Sequence, residues 1–513
     1  IPHTLSLCTA GDVDFSTSCS DAVQADFNTA MSTLYSFWYS QSLVTFEDII
    51  AREPACCMAY YGAAMTYNRP IWDFITDDRL AAAEEYSIKA SDCASGGGAT
   101  DREQAYIGAL SVYMNTTNPE VADPATRLQT YADAFNENVY LPYGPTDENA
   151  AVLYGLAVLG VGYYSDTEPS EGYPNLKLAG LTEELVVLRN ENSPGGLHYV
   201  IHSYDQPPIA SRALDAAYQY LATSVAVPHA VHMPSHIFGD LGLWADMIKS
   251  NQQCLNLAWS AGDKPTGDWY HGSYFMQFGM LQMAMDCDAK AFVEAYVDMS
   301  EKYTEDFLSE GSVRVPAMYL IETRSWEQGA TFDLEKMYPA VSPAVWTEHA
   351  WTLVTSNFVA TVSRAVLDYS AAEIAAAREA MDAAHEVLLA STHWTVHQLP
   401  YWRQSIEVMV NSAHAWESFR TVSFEAGIAA MQAVVDYAES GWAPEVSQTW
   451  DTHEQLAEML LIRGAKGDVA RALKLYETEI AMYPNRYRPL AGAAKCADTL
   501  NNDIKASKYY GEV

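Results

Sequence analysis

Basic residues are scarce in this chain, and acidic residues far outnumber them. The 513 residues include 29 Lys and Arg but 66 Asp and Glu, which gives a formal net charge of −37. Nucleic acids and anionic membrane surfaces both attract Lys and Arg, so this balance argues against either as a partner. The acids are dispersed rather than gathered in one run, so we expect no disordered acidic tail.

The sequence also lacks long apolar runs and the familiar catalytic motifs. No apolar run is long enough to cross a bilayer, so we expect no transmembrane helix. There is no GxSxG elbow, phosphate-binding loop or dinucleotide-binding glycine pattern. The HExxH motif of zinc proteases is missing too, because the residue directly after His198 is Tyr199 and not Glu. The sequence therefore does not favour an α/β-hydrolase, a nucleotide-binding protein or a zincin protease.

Cysteines are few, and none forms a CxxC pair. An even number, eight, fits disulfides better than a zinc ribbon. We expect a disulfide to hold the Ser/Thr-rich N-terminal segment that contains Cys8 and Cys19. We also expect Cys254 and Cys287, which flank a predicted interhelical loop, to tie two helices together.

The N-terminus suggests a compartment. The chain begins at Ile1 rather than Met, and no basic or apolar leader follows, so we expect a mature chain whose signal peptide has been removed. Asn115-Thr116-Thr117 is an N-glycosylation sequon. Together with the cysteines, these features predict a secreted, disulfide-bonded glycoprotein.

What the chain does contain is helical periodicity. Ala30, Ser42, Phe46 and Pro54 occupy the small, small, aromatic and proline positions of the 34-residue tetratricopeptide repeat. Small residues let the two helices of a repeat approach each other, the aromatic residue fills the gap to the next repeat, and proline ends the second helix.

The same frame recurs near the C-terminus, where Ala472, Tyr476 and Pro484 take the corresponding positions. Several segments between the two ends have helical period and high Ala and Leu content. The sequence therefore predicts an all-α, tetratricopeptide-like α-solenoid of helix pairs with long loops. We expect residues 1–22 to form an irregular N-terminal arm and residues 23–513 to form one helical-repeat domain.

A block of histidines stands out between residues 198 and 271. Six of the 13 histidines lie there: His198, His202, His229, His232, His236 and His271. His198 and His202 are four residues apart, as are His232 and His236, so each pair shares a helix face unless Pro234 interrupts the second. Because imidazole is the commonest metal ligand in proteins, the block predicts a metal site.

The histidine motifs also carry a family resemblance. His198-Tyr199-Val200-Ile201-His202, the run from His229 to Phe238 and the later His271 resemble a bacterial and fungal family of tetratricopeptide-repeat proteins with a His-containing block in mid-chain. This resemblance implies a helical-repeat fold and no particular reaction. An ordinary tetratricopeptide array binds peptides and does not need six clustered histidines.

All-imidazole ligation suits copper, zinc, iron or nickel. If the six histidines divide three and three, each triad is an HxxxH pair with a later third His. That spacing, but not the surrounding sequence, is similar to the type 3 binuclear copper proteins, the tyrosinases and hemocyanins. Our leading hypothesis is a secreted copper oxidoreductase that holds one or two copper ions and acts on a small organic or phenolic substrate.

Two other readings stay open. One is a zinc hydrolase or hydratase, and the other is a non-catalytic metal- or peptide-binding repeat protein. Asp205 and Tyr199 are the candidate catalytic residues, Asp205 because a carboxylate there could orient a ligand from the second shell. His393 and His397 form a further pair four residues apart, for which a structural role is the more common explanation.

Overall fold

The computed structural model describes residues 11, 13–71, 74–117, 123–165, 173–262, 267–302, 310–339, 341–391, 400–441 and 450–513. All regular secondary structure in these ranges is helical, which confirms the predicted all-α class. No helix among the described residues has the length and apolarity needed to cross a membrane.

The chain divides into two compact units, whereas the sequence suggested no boundary after residue 22. The first unit comprises Ile1–Asp205 and Arg212–Pro234, and the second comprises Gln206–Ser211 and Ser235–Val513. In both units the closest packing joins helices that follow one another in the chain, as the predicted helix pairs require.

The first unit contains the helices of the N-terminal part of the chain. They are α1 (Asp21–Tyr35), α2 (Tyr39–Arg52), α3 (Cys57–Met65), α4 (Asp77–Cys93), α5 (Asp101–Tyr113), α6 (Pro124–Phe135), α7 (Leu141–Tyr143), α8 (Glu148–Ser165), α9 (Pro174–Val187), α10 (Pro194–Tyr204), α11 (Leu214–Thr223) and α12 (Pro228–His232). Short π-helical turns follow α4 and α6, and a 3-10 turn precedes α11.

The helices after α12 belong to the second unit, apart from the first residue of α13. They are α13 (Pro234–Asp240), α14 (Trp244–Gly262), α15 (Gly267–Gln282), α16 (Asp286–Lys302), α17 (Glu310–Glu322), α18 (Trp326–Gly329), α19 (Leu334–Met337), α20 (Pro343–Glu348), α21 (Ala350–Val366), α22 (Ala371–Ala390), α23 (Pro400–Thr421), α24 (Phe424–Glu439), α25 (Thr452–Arg463), α26 (Asp468–Met482), α27 (Tyr487–Thr499) and α28 (Asp503–Glu512).

The predicted repeat positions at the start of the chain pack as expected. Ala30 on α1 and Ser42 on α2 are fully buried, and the Ser42 hydroxyl donates a 2.8 Å hydrogen bond to the Ala30 carbonyl. The buried Phe46 ring lies against Gly62 of α3, where a Cβ atom would come within 2.2 Å of Phe46 Cζ. Pro54 follows the end of α2 at Arg52. Glycine thus makes the close approach of α2 and α3 possible.

The second unit repeats this arrangement at its C-terminal end. Ala472 and Tyr476 are buried on α26, and the Tyr476 ring lies against Gly492 of α27, where a Cβ atom would be 2.5 Å from Tyr476 Cζ. Pro484 follows the end of α26 at Met482. The glycine follows the aromatic residue by the same number of positions as in the first unit.

The described part of the N-terminal arm, from residue 13 to residue 20, is irregular and packs within the first unit. α1 begins at Asp21, slightly before the predicted boundary. Phe15 is fully buried and meets Phe27 and Tyr106 edge to face, and Asn149 Nδ2 donates to the Asp14 carbonyl at 2.8 Å. Phe15 and its neighbours in the arm therefore belong to the core of the first unit.

A disulfide holds the N-terminal segment, as predicted, and its partner cysteine stands at the start of α3. Cys19 pairs with Cys56, and Cys57 pairs with Cys93. Cys56 and Cys57 stand at the start of α3, so neighbouring side chains leave the backbone in different directions and reach the arm and the end of α4. Cys8 lies outside the described residues.

The prediction of a bond between Cys254 and Cys287 is wrong, because both cysteines are free. Cys254 faces the core on α14, where its thiol donates to the Asp268 carbonyl at 3.5 Å. Cys287 is exposed at the start of α16. Sequence placed both residues near a loop but did not show that their side chains face different surroundings.

Candidate metal centre

Helix α10 carries the first histidine pair. Pro194 occupies the first turn, where its missing N–H is not needed, and the Ser193 side chain accepts a hydrogen bond from Gly196 N, so the sequence fixes where the helix begins. His198 and His202 then lie one turn apart on the buried face, at 0% and 5% exposure.

The third histidine comes from α12. Pro228 starts this short helix, and His229 follows it at 4% exposure. One ring nitrogen from each of His198, His202 and His229 lies within 4.8 Å of the others. The first unit therefore brings together three of the predicted ligands from two separate helices, close enough to share one ion.

The backbone of α1 sets the tautomer of His198. His198 Nδ1 lies 2.6 Å from the carbonyl oxygen of Tyr35. A carbonyl oxygen only accepts, so Nδ1 must carry the proton and donate it. In the neutral ring the lone pair is then on Nε2. A hydrogen bond that fixes the tautomer through the other ring nitrogen is typical of metal-ligating histidines.

The two nitrogens of the α10 pair face each other. His198 Nε2 and His202 Nε2 are 3.1 Å apart. Because Nε2 of neutral His198 is an acceptor, His202 Nε2 donates the proton in this contact. An ion bound between the two nitrogens would replace that proton, so metal binding here must displace it.

Aromatic rings surround the triad. Tyr220 of α11 stacks on His198 with ring centroids 5.3 Å apart, and its hydroxyl donates to Ser36 Oγ at 3.1 Å. Phe37 contacts His198 at a centroid distance of 4.4 Å, and Tyr199 is a fully buried neighbour of both. This aromatic surround would limit the access of water to an ion held here.

The second predicted set is not complete within either unit. His232 belongs to the first unit, where its ring centroid is 6.0 Å from that of His229. His236 and His271 belong to the second unit, with centroids 6.0 Å apart. The backbone at Met233, between α12 and α13, keeps right-handed helical dihedral angles, and α13 begins at Pro234.

His271 has a defined environment in the second unit. The Tyr274 hydroxyl lies 2.9 Å from His271 Nδ1, and Arg314 stacks over the Tyr274 ring. Phe275 packs against His236 at a centroid distance of 4.6 Å.

The two predicted catalytic residues, Asp205 and Tyr199, lie in different surroundings. Asp205 is the half-buried residue that follows α10, and it is outside the triad. Burial raises the pKa of the Tyr199 phenol well above its usual value, so this hydroxyl stays protonated at ordinary pH. His393 and His397 lie outside the described residues.

Sequence reasoning missed the residues that the α1–α2 corner supplies. Tyr35, Ser36 and Phe37 precede the histidine block by more than 150 positions along the chain and carry no ligand-type side chain. The only available signal was the aromatic content of the corner, Tyr35-Ser36-Phe37-Trp38-Tyr39, which is equally typical of core packing.

Comparison with known proteins adds little. No protein-family model matches the chain, and no curated protein matches it. A structure of Naa15/Naa10 bound to HypK-THB is similar over 95% of this chain and 67% of that chain, at 13% identity and a TM-score of 0.23. The crystal structure of the P58(IPK) TPR domain is similar over 94% of this chain and 99% of that chain, at 11% identity and a TM-score of 0.21. Likeness at this level carries no argument about function.

Proposed function

We propose that this chain is a metal-binding helical-repeat protein whose first unit holds one transition-metal ion on His198, His202 and His229. The observation that carries the proposal is the meeting of three buried imidazoles, with ligand nitrogens within 4.8 Å of one another. Three neutral histidines with one coordination position left open are a common set of ligands for zinc and copper.

Copper is the ion that this donor set favours. Nitrogen sites bind divalent copper more tightly than divalent zinc, and no thiolate or carboxylate belongs to the triad to alter that order. Zinc is the alternative, since it accepts the same three imidazoles.

Ion binding is the part of the hypothesis that the geometry supports. Oxidation of a small organic or phenolic substrate by bound copper, and hydrolysis or hydration by bound zinc, remain predictions from sequence. Both reactions need a substrate to reach the open coordination position. Metal binding without catalysis requires only the triad itself, and we therefore take it as the primary function.

Titration of metal-free, untagged protein with Cu(II) and with Zn(II) tests the proposal. We expect a tight site in the wild type that is lost when His198 and His229 are both changed to Ala, because a single remaining imidazole cannot hold the ion. The control is His414→Ala, which removes a half-exposed histidine paired with Asp382 in the second unit. Equal stoichiometry and affinity in the double variant and the wild type would refute the site.

The same titration separates the chemical alternatives. Copper-loaded protein that consumes oxygen in the presence of a phenol would add oxidoreductase activity to the binding function. Zinc-loaded protein that hydrolyses a model ester would favour the hydrolase. Stoichiometric binding without either activity would identify a non-catalytic metal-binding protein.

We also propose that the protein works outside the cytosol. The two disulfides of the first unit support this location, since such bonds persist mainly in oxidising compartments. The sequon residue Asn115 is half-exposed and its side-chain oxygen accepts from Thr117, so the surface loop is open to a glycan. Mass spectrometry of the native protein checks both modifications.

A further inference from the structure

The ring of Phe37 contacts the rings of all three histidines of the triad. It meets His198 edge to face at 4.4 Å between ring centroids. Its centroid is 5.6 Å from that of His202 and 5.7 Å from that of His229, with interplanar angles of 27° and 24°. The phenyl ring therefore lies over the group of imidazoles rather than beside one of them.

The backbone holds Phe37 in an unusual conformation. Its φ of 58° lies in the left-handed region, which a bulky residue seldom adopts. Hydrogen bonds from Phe37 N to the Leu34 carbonyl and from Trp38 N to the Thr33 carbonyl, at 3.0 and 2.9 Å, fix this corner. Conformations of this kind persist where the surroundings dictate them, and they cluster at functional sites.

Neighbouring rings support the placement of Phe37. Tyr39 stacks on it at 5.4 Å with an interplanar angle of 16°, and Tyr199 lies 5.7 Å away. Residues on both sides of Phe37 contact the site as well, since the Tyr35 carbonyl orients His198 and Ser36 binds the Tyr220 hydroxyl. Three consecutive residues of the α1–α2 corner, Tyr35, Ser36 and Phe37, thus orient the histidine ligands and cover them.

We propose that Phe37 is a specificity-determining cover that restricts the metal's open position to small uncharged ligands. This inference rests on the proposed metal-binding function. An apolar ring over the site offers no hydrogen bond to a charged or hydrated ligand, so such a ligand would lose its water without compensation. The ring also occupies the space that a flat aromatic ligand would need, whereas a diatomic molecule such as carbon monoxide needs much less.

The test compares exogenous ligands on copper-loaded protein. Phe37→Gly is the informative variant, because glycine accepts a positive φ and removes the ring without adding strain. We expect imidazole and azide to bind Cu(II) at least about tenfold more tightly in Phe37→Gly than in the wild type. We expect the affinity for copper itself, and carbon monoxide binding to Cu(I), to change much less.

Controls make each outcome decisive. Phe135→Ala removes another buried phenylalanine of the first unit, whose ring contacts are with Tyr106 and Tyr131, and it should leave imidazole and azide binding unchanged. If Phe37→Gly does not fold, Phe37→Leu gives the same comparison with a smaller expected change.

Equal imidazole and azide affinities in the wild type and the Phe37 variants would overturn the proposal and leave Phe37 as core packing. Failure of the wild type to bind copper at all would instead refute the metal site, so the two failures are distinguishable. Tighter binding of imidazole in Phe37→Gly but not in Phe135→Ala would establish the cover.

Discussion

The two units bury polar side chains in opposite ways. In the first unit, three imidazoles of the same kind meet at one place. In the second unit, Arg486 is buried among carboxylates: it contacts Glu479, donates to Glu322 at 2.9 Å and lies 3.7 Å from Glu454. One cluster is built from groups of opposite charge, and the other is built from groups that share a preference for a cation.

The charged cluster of the second unit extends beyond Arg486. Arg324 contacts Glu454 and lies 2.6 Å from Glu458, with its guanidinium over the Trp450 ring. Burial raises the pKa of Glu454 to about 7, although both arginines oppose the shift. Burial also raises the pKa of Glu479 well above its usual value. Acidic side chains outnumber arginines in this cluster. A proton retained on a buried glutamate lowers the net negative charge of the cluster without a bound ion.

This difference shows whether each buried cluster is complete by itself or can accept a bound ion. Buried ions are tolerated when opposite charges surround them, so the Arg486 cluster is complete within the chain. Neutral imidazoles lose less on burial than charged groups, so a triad of them can form first and accept an ion later. Three experiments sharpen this contrast.

The largest effect should come from breaking the charged cluster. Arg486→Met leaves Glu479 and Glu322 buried without their main counter-charge, which should lower the free energy of unfolding by about 3–5 kcal/mol. Urea unfolding followed by tryptophan fluorescence measures it, because Trp326 and Trp416 both pack against Trp450, beside Arg324.

The control for this variant is Arg403→Met, which removes a largely exposed arginine paired with Glu407 and should change stability by less than about 1 kcal/mol. An Arg486→Met protein as stable as this control would show that the cluster does not depend on its arginine.

An intermediate effect should appear where the two units are alike. Gly62→Ala and Gly492→Ala each push a Cβ atom into a buried aromatic ring, so each should destabilise its unit by about 1–3 kcal/mol. Calorimetry on each variant would measure the loss. A loss in only one unit would mean that the aromatic–glycine contact has different roles in the two.

The matched controls are Gly108→Ala and Gly511→Ala, one in each unit. Both glycines are helical and have open space where a Cβ atom would go, so alanine should raise stability by up to about 1 kcal/mol.

The smallest effect, taken per pH unit, is the loss of the proton from His453. His453 lies between Asp451 and Glu439, and these carboxylates raise its pKa from 6.5 to about 9 although burial opposes them. A raised histidine pKa contributes stability fully below 6.5, and this contribution is lost as pH rises through 9. The slope of the unfolding free energy in this interval should be at most about 1.4 kcal/mol per pH unit.

His453→Gln should remove that slope in urea unfolding measured across the same interval. The affinity of the triad for copper should depend on pH in the opposite sense. It should increase as pH rises toward neutrality, since the histidine ligands must be deprotonated. A slope that persists in His453→Gln would assign the pH dependence to another group.

Much of the fold could be predicted from the sequence because helix pairs form between residues that are close together in the chain. Ala30, Ser42 and Phe46 revealed a helix pair through spacing alone, and Tyr476 revealed another. The four-residue spacing of His198 and His202 also placed both side chains on one face of α10. Disulfide partners could not be predicted, because Cys56 and Cys57 differ only in the direction of their side chains.

The position of Phe37 over the candidate site could not be predicted from the sequence, for a related reason. Phe37 and the Tyr35 carbonyl act through tertiary position, and neither residue has a side chain that marks a metal site. The grouping of His229 with the α10 pair, in contrast, was a hypothesis from spacing, and the structure places these three nitrogens together.

The long link between Tyr35 and His198 has a consequence for the order of folding. Helix pairs such as α1 and α2 join segments that are neighbours in the chain, so they can form early. The hydrogen bond from His198 to Tyr35 spans 163 residues, and contacts that close such large loops form late. An ion would therefore enter a unit that is already nearly folded, and it would lock the finished structure rather than nucleate it.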